Sequence, residues 1–238
     1  MTNTETRKDM SKKILYAMTA VLMLISVYMV FSGYSPIPVS TKEATGDPNN
    51  FKIFYFHVPI AITAYVAFAI VFASGVMYLR SKQQKWDIIA LSAAEVGVIF
   101  AFLTLVSGSI WARSAWGDYW VVWDVRLNTS LVLFLIYLSY LMVRQAVEEP
   151  EKRARLSAVF GIVGFIGVPL SFMSIRLWNK ATIHPVAELN YTTMSPLILT
   201  FFVNFAAYLL LVISLIVFKI ENEQVKEKVN ELKRQKNL

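Results

Sequence analysis

The stretch Ile88-Ile-Ala-Leu-Ser-Ala-Ala-Glu-Val-Gly-Val-Ile-Phe-Ala-Phe-Leu-Thr-Leu-Val-Ser-Gly-Ser-Ile110 holds a single ionisable side chain, Glu95. About 20 mostly apolar residues are enough to cross the hydrocarbon core of a bilayer, and a helix satisfies its own backbone polar groups there. The stretch is therefore read as a membrane-spanning helix. Working outward, five more segments of the same character follow the same rule, at 14–32, 53–79, 128–147, 156–177 and 196–219. Together they predict an all-α fold: a polytopic integral membrane protein, a bundle of six transmembrane helices forming one membrane domain over 1–238. The composition agrees, with 56% hydrophobic and only 16% charged residues. The spans leave no room for a separate soluble domain.

The first segment follows Arg7, Lys8, Lys12 and Lys13 and resembles a signal peptide. Its apolar core is long for one and no small-x-small cleavage site follows, so an uncleaved helix is expected. Positive charge sets the orientation. The amino terminus, the 80–85 loop, the 144–155 loop and the tail from Lys219 hold 17 of the 23 Lys and Arg residues; the opposite face holds Lys42, Lys52, Arg113, Arg126, Arg176 and Lys180. The positive-inside rule then puts both termini in the cytoplasm. The net charge of +7 is topology and attraction to anionic lipid, not a nucleic-acid signature. The 220–238 tail alternates charges at helical spacing, with Val225, Val229 and Leu232 four and three apart, and is read as a cytoplasmic extension of the sixth helix.

Chemistry concentrates on the other face. The chain has two histidines, His57 at the start of the second span and His184 before the sixth. Neutral imidazole is a good axial ligand for heme iron, although two interfacial histidines could equally hydrogen-bond to backbone or lipid. Between them in sequence lies an external tryptophan-rich loop at 111–127, with Trp111, Trp116, Trp120 and Trp123 within it. An interfacial belt would spread indoles over both membrane faces, whereas here four of six stand in one loop. Trp116, Trp120 and Trp123, four and three apart, would share a face in a helical turn and form a flat shelf for a macrocycle. Asp124 follows and could orient an indole N–H or a backbone amide. Arg113, Arg126, Arg176 and Lys52 are candidates for pairing with heme propionates, or ordinary loop charge. Glu95, inside the third span near its cytoplasmic end, is read as structural, either in a hydrogen bond between helices or as a shallow, hydrated acid. Gly161, Gly164 and Gly167 in the fifth span are read as packing positions.

Several classes are excluded. There is no phosphate-binding loop, no nucleophile elbow, no His-Glu-x-x-His and no dinucleotide fingerprint. With no cysteine the chain can neither perform thiol–disulfide chemistry nor hold heme through thioether bonds.

Trp116-Gly-Asp-Tyr-Trp-Val-Val-Trp-Asp124, His57-Val-Pro, Ser107-Gly-Ser-x-Trp111, Trp123-Asp-x-Arg-Leu127, Trp178-Asn179 before His184 and Met194-Ser-Pro-Leu stand in this order over nearly the whole chain. In that order they resemble the CcmC family of heme exporter proteins in cytochrome c maturation, which carries a tryptophan motif of the form Trp-Gly-x-x-Trp-x-Trp-Asp. Here two residues, Val121 and Val122, stand where that motif has one. The resemblance implies that His57 and His184 are axial ligands of a non-covalent, transient heme b. It implies that Trp116, Gly117, Trp120, Trp123 and Asp124 present the heme, with Arg126 nearby. It also implies partners: the heme chaperone CcmE, the ABC-type pair CcmA and CcmB, and small CcmD. The role is then binding and delivery rather than catalysis. Cytochrome c synthases of the CcmF or CcsA type share the motif but are longer and carry further histidines. A b-type electron-transfer subunit would need histidines deep in its helices. A heme-free transporter using histidines as proton relays remains as an alternative.

Overall fold

The computed structural model describes residues 3–32, 48–184 and 195–235. The 33–47 segment, with Lys42, and the 185–194 segment, with Met194, lie outside the described residues. Every regular element described is helical. Helix α1 is Asn3–Phe31; α2, Phe54–Ser81, follows a 3-10 turn at Pro48–Ile53; α3 is Gln84–Trp116; α4, Val125–Ala146; α5, Pro150–Gly164; α6, Gly167–Leu177; and α7, Ser195–Gln235. Six spans are long and apolar enough to cross a membrane, with α5 and α6 forming one of them.

The predicted continuous helix at 156–177 is broken. Pro169 has no N–H to give to Phe165, and a proline ring crowds the carbonyl four residues before it. The chain tightens there: Ile166 N–H donates to the Val163 carbonyl at 3.2 Å and Val168 N–H to Phe165 at 3.0 Å, both three residues back. Helix α6 then restarts at Gly167.

In a bilayer helices associate through close packing and polar contacts, because lipid is as apolar as leucine. Both are present. Ala64, Ala67 and Phe68 of α2 are buried with Ala90, Ala93 and Ala94 of α3. Phe68 stacks on Tyr137 of α4, with ring centres 3.6 Å apart. A side chain at Gly161 would meet Val71 at 2.9 Å and one at Gly164 would meet Ile136 at 2.8 Å, so these positions are packing contacts. Helix α1 runs antiparallel to α7 with three polar pairs in register: Lys12 with Glu221, Thr19 with Ser214 at 2.8 Å, and Ser26 with Asn204 at 2.6 Å.

Charged side chains are paired at one end of the bundle. Arg144, counted by sequence among loop charges, is buried in α4 and forks onto buried Asp87 of α3 at 2.5 and 2.8 Å. Glu95 pairs with Lys219 of α7 at 2.5 Å, a bond between helices, one of the two roles read from the sequence. The histidines lie at the opposite end.

Candidate functional site

Helix α3 spans about 50 Å, longer than the hydrocarbon core of about 30 Å, so its last turns extend toward the end of the bundle that carries the histidines. Thr104, Ser107, Gly108 and Trp111 recur there at helical spacing and share a face. The helix stops at Gly117, which has a φ of +86°, in the left-handed region that favours glycine. Its N–H returns to the Arg113 carbonyl at 3.2 Å, and Arg113 donates back to the Gly117 carbonyl. Residues 117–124 therefore leave the helix, held by Ser109 to the Tyr119 carbonyl at 2.9 Å and Asn128 to the Val122 carbonyl at 2.8 Å.

That geometry corrects the expected tryptophan shelf. Trp116 closes α3, whereas Trp120 and Trp123 lie beyond the glycine cap and cannot share a helical face with it. Trp123 is 58% exposed. Trp120 lines an apolar groove with Leu105, Val106 and Ile110 of α3 and Leu131 of α4. The pair that meets instead is Trp111 with Trp116, ring centres 4.9 Å apart and nearly perpendicular.

The two histidines, far apart in sequence, are brought together, with ring centres 6.5 Å apart and planes inclined by 31°. His184 also sits 6.1 Å from Trp111 and 6.2 Å from Trp116. His57, in the first turn of α2, is held from behind by α3. Its Nδ1 is 2.9 Å from Ser107 Oγ, and its ring covers Gly108, where a Cβ would come to 3.0 Å from Cε1. The hydroxyl hydrogen of Ser107 is taken by the Leu103 carbonyl at 2.7 Å. Ser107 therefore accepts from His57, which places the proton on Nδ1 and leaves the lone pair on Nε2. A histidine that ligates a metal through Nε2 needs that tautomer.

Asp124 is fully buried and holds two segments at once. One carboxylate oxygen caps α4, accepting from the N–H groups of Arg126 at 2.9 Å and Leu127 at 3.0 Å. The other accepts from Thr182 Oγ1 and from Ile183 N–H, both at 2.8 Å. Thr182 Oγ1 in turn receives the His184 N–H at 3.1 Å. The aspartate of the tryptophan motif is thus tied to the segment carrying the second histidine. Of the two partners expected from sequence, an indole N–H or a backbone amide, it is backbone amides that the carboxylate takes. Arg126 donates through Nη1 to the Ser171 carbonyl and, at 3.4 Å, to its hydroxyl, bracing α4 against α6.

Trp111 and Ser107 are the residues that the sequence reading did not rank among the site. Their signal was available: with Thr104 they fall three, four and seven apart on one face of α3, and a histidine on α2 needs a partner for its second nitrogen.

The family described as heme exporter protein C, CcmC, matches residues 1–235. Among curated proteins, heme exporter protein C of Bradyrhizobium diazoefficiens is 32% identical over 222 residues, covering 92% of this chain and 80% of that protein. Those of Paracoccus denitrificans and Haemophilus influenzae are 34% identical over 139 residues (58% of this chain, 57% of that protein) and 30% over 168 (71% and 65%). The match thus runs from the first helix to the end of the last, through the paired histidines and the tryptophan motif, and the chain belongs to the CcmC family.

Proposed function

We propose that the chain is a heme-handling membrane protein of c-type cytochrome maturation, which holds heme between His57 and His184 at the outer face and hands it on. One observation carries the reading. An imidazole nitrogen sits about 2 Å from a first-row divalent metal, and a ring centre lies about 1.1 Å behind its nitrogen. Two imidazoles on opposite sides of one iron therefore have centres about 6.2 Å apart. The two rings here are 6.5 Å apart, as if set for one metal ion between them. His57 supplies Nε2, fixed by Ser107. Trp111 and Trp116 shield His184 with apolar surface suited to a porphyrin edge. Arg126, at the start of α4, is the candidate partner for a propionate.

Bound in this way, heme is cargo. The chain has no cysteine with which to hold it covalently, so what two coordinate bonds and an aromatic wall retain can also be surrendered. Family membership supports the receiver proposed here, the chaperone CcmE, and assembly with CcmA, CcmB and CcmD. The distribution of Lys and Arg supports cytoplasmic termini and a site on the external face of the inner membrane. The test is an optical spectrum of the full chain purified in detergent, with His57→Ala and His184→Ala. The expected result is a sharp low-spin spectrum in the parent that each substitution converts or abolishes. A parent that takes up no heme when supplied with it would instead support a heme-free transporter.

A further inference from the structure

Helix α7 does not end with the membrane. The stretch from Pro196 to Lys219 already covers about 36 Å, more than the hydrocarbon core of about 30 Å. The helix nevertheless runs unbroken to Gln235. On the extension, Val225, Val229 and Leu232 are 61%, 44% and 56% exposed. Spaced four and three apart, they form one apolar stripe along the helix. Lys226 and Lys233 border it on one side and Lys228 on the other. The opposite face carries Glu223, which pairs along the helix with Lys226 at 3.4 Å, and Glu227, which accepts from Gln84 at the start of α3 at 2.9 Å. Glu223 and Glu227 thus lie opposite the stripe and Lys226, Lys228 and Lys233 along its borders, while Glu221, one turn before the stripe, is taken by Lys12 of α1.

Three occupants could cover such a stripe, and the geometry separates them. A bilayer surface is out of reach: Val225 lies about 9 Å and Leu232 about 20 Å beyond Lys219 along the axis, moving away from the lipid. A second copy of the same helix would bring lysine rows together, and flanking charges of one sign oppose pairing. A helix with an apolar seam bordered by carboxylates satisfies both the stripe and its lysines. We propose that the 220–235 extension is a docking face for an acidic-flanked amphipathic helix of another protein, on the side of the membrane that carries the termini. The proposal does not depend on the heme reading, because it concerns the opposite end of the bundle.

The test uses the full chain in lipid nanodiscs and two synthetic helical peptides with the same leucine seam, one flanked by glutamate and one by lysine. The glutamate peptide is expected to bind at least tenfold tighter than the lysine peptide, more weakly as salt rises. Val229→Asp is expected to reduce that binding by about tenfold or more, while Glu231→Gln, away from the stripe, leaves it unchanged. Equal binding of the two peptides, or binding of neither, would overturn the proposal. The chain's lack of cysteine allows a second measurement: a single thiol at Val225→Cys, Val229→Cys or Leu232→Cys, cross-linked in native membranes. Adducts whose sequenced segment is an acid-flanked amphipathic helix support the docking face. Adducts to a second copy, to lipid or to nothing overturn it.

Discussion

Replacing Asp124 by asparagine separates its two duties. Asparagine remains a good helix cap, so its oxygen can still accept from Arg126 and Leu127. Its amide –NH2 then faces Thr182 and the Ile183 N–H, where the carboxylate oxygen accepted two bonds at 2.8 Å. Hydrogen bonds to a charged acceptor contribute about 1.5–3 kcal/mol each, and a buried donor left unpaired costs about 1–3 kcal/mol. Part of this is recovered where the freed 182–184 segment meets water, for Ile183 is already partly exposed. A net loss of about 1.5–3 kcal/mol in holding that segment is a shift of about 10- to 150-fold in its docked population. The effect should therefore fall on His184 and spare the rest of the bundle. Heme affinity is expected to drop about tenfold or more as the competent fraction shrinks. The spectrum should move from six-coordinate low-spin to five-coordinate high-spin, and added imidazole should restore the low-spin form. Thermal unfolding of the heme-free protein should change little. An Asp124→Asn protein with an unaltered low-spin spectrum and full affinity would refute the reasoning, since it would mean that His184 is held by something other than the aspartate. Asp124→Ala adds loss of the cap, about 1 kcal/mol, and should lower thermal stability as well.

Ser107→Ala removes the acceptor that fixes the His57 tautomer; a loss of about 10- to 100-fold in heme affinity is expected by titration, with the helix content unchanged. Gly108→Val places side-chain atoms against the His57 ring, where even a Cβ stands 3.0 Å from Cε1. It should abolish heme retention, whereas Gly108→Ala, needing a shift of a few tenths of an ångström, should only weaken it. At the other end of the bundle, Arg144→Met strands Asp87 as a buried, unpaired carboxylate, and about 3–5 kcal/mol of stability should be lost in detergent unfolding. Pairing it with Asp87→Leu should recover most of that loss; a double variant as unstable as the single would show that the ion pair is not what Arg144 contributes.

The spans were legible because a bilayer leaves few alternatives. An apolar stretch such as 88–110 has to become a helix, and Lys and Arg mark its ends. What escaped the reading depends on which turn ends a helix and on what faces what. The tryptophan shelf assumed helical spacing through Gly117, the one residue there free to turn out of the helix. The break between α5 and α6 was written in Pro169, but an unbroken apolar run hid it. Arg144 was taken for loop charge because sequence shows how near a span's end it stands, not that Asp87 waits on the neighbouring helix.

The same distinction explains why the two histidines could be named from sequence while the residues that aim them could not. A histidine in an apolar chain is conspicuous by its chemistry, whereas its supports are ordinary: a serine, a glycine and a threonine, significant only through position. His57 stands on a helix and is backed by a second helix, so its ring direction is set by rigid elements. His184 stands on an irregular segment, and two of the bonds that anchor it converge on one carboxylate 60 residues earlier in the chain. A site with one ligand built into the bundle and the other tethered to it should open at the tether first. His57 should then be the ligand that keeps heme in any half-released state, and the high-spin product of Asp124→Asn should disappear when His57→Ala is added.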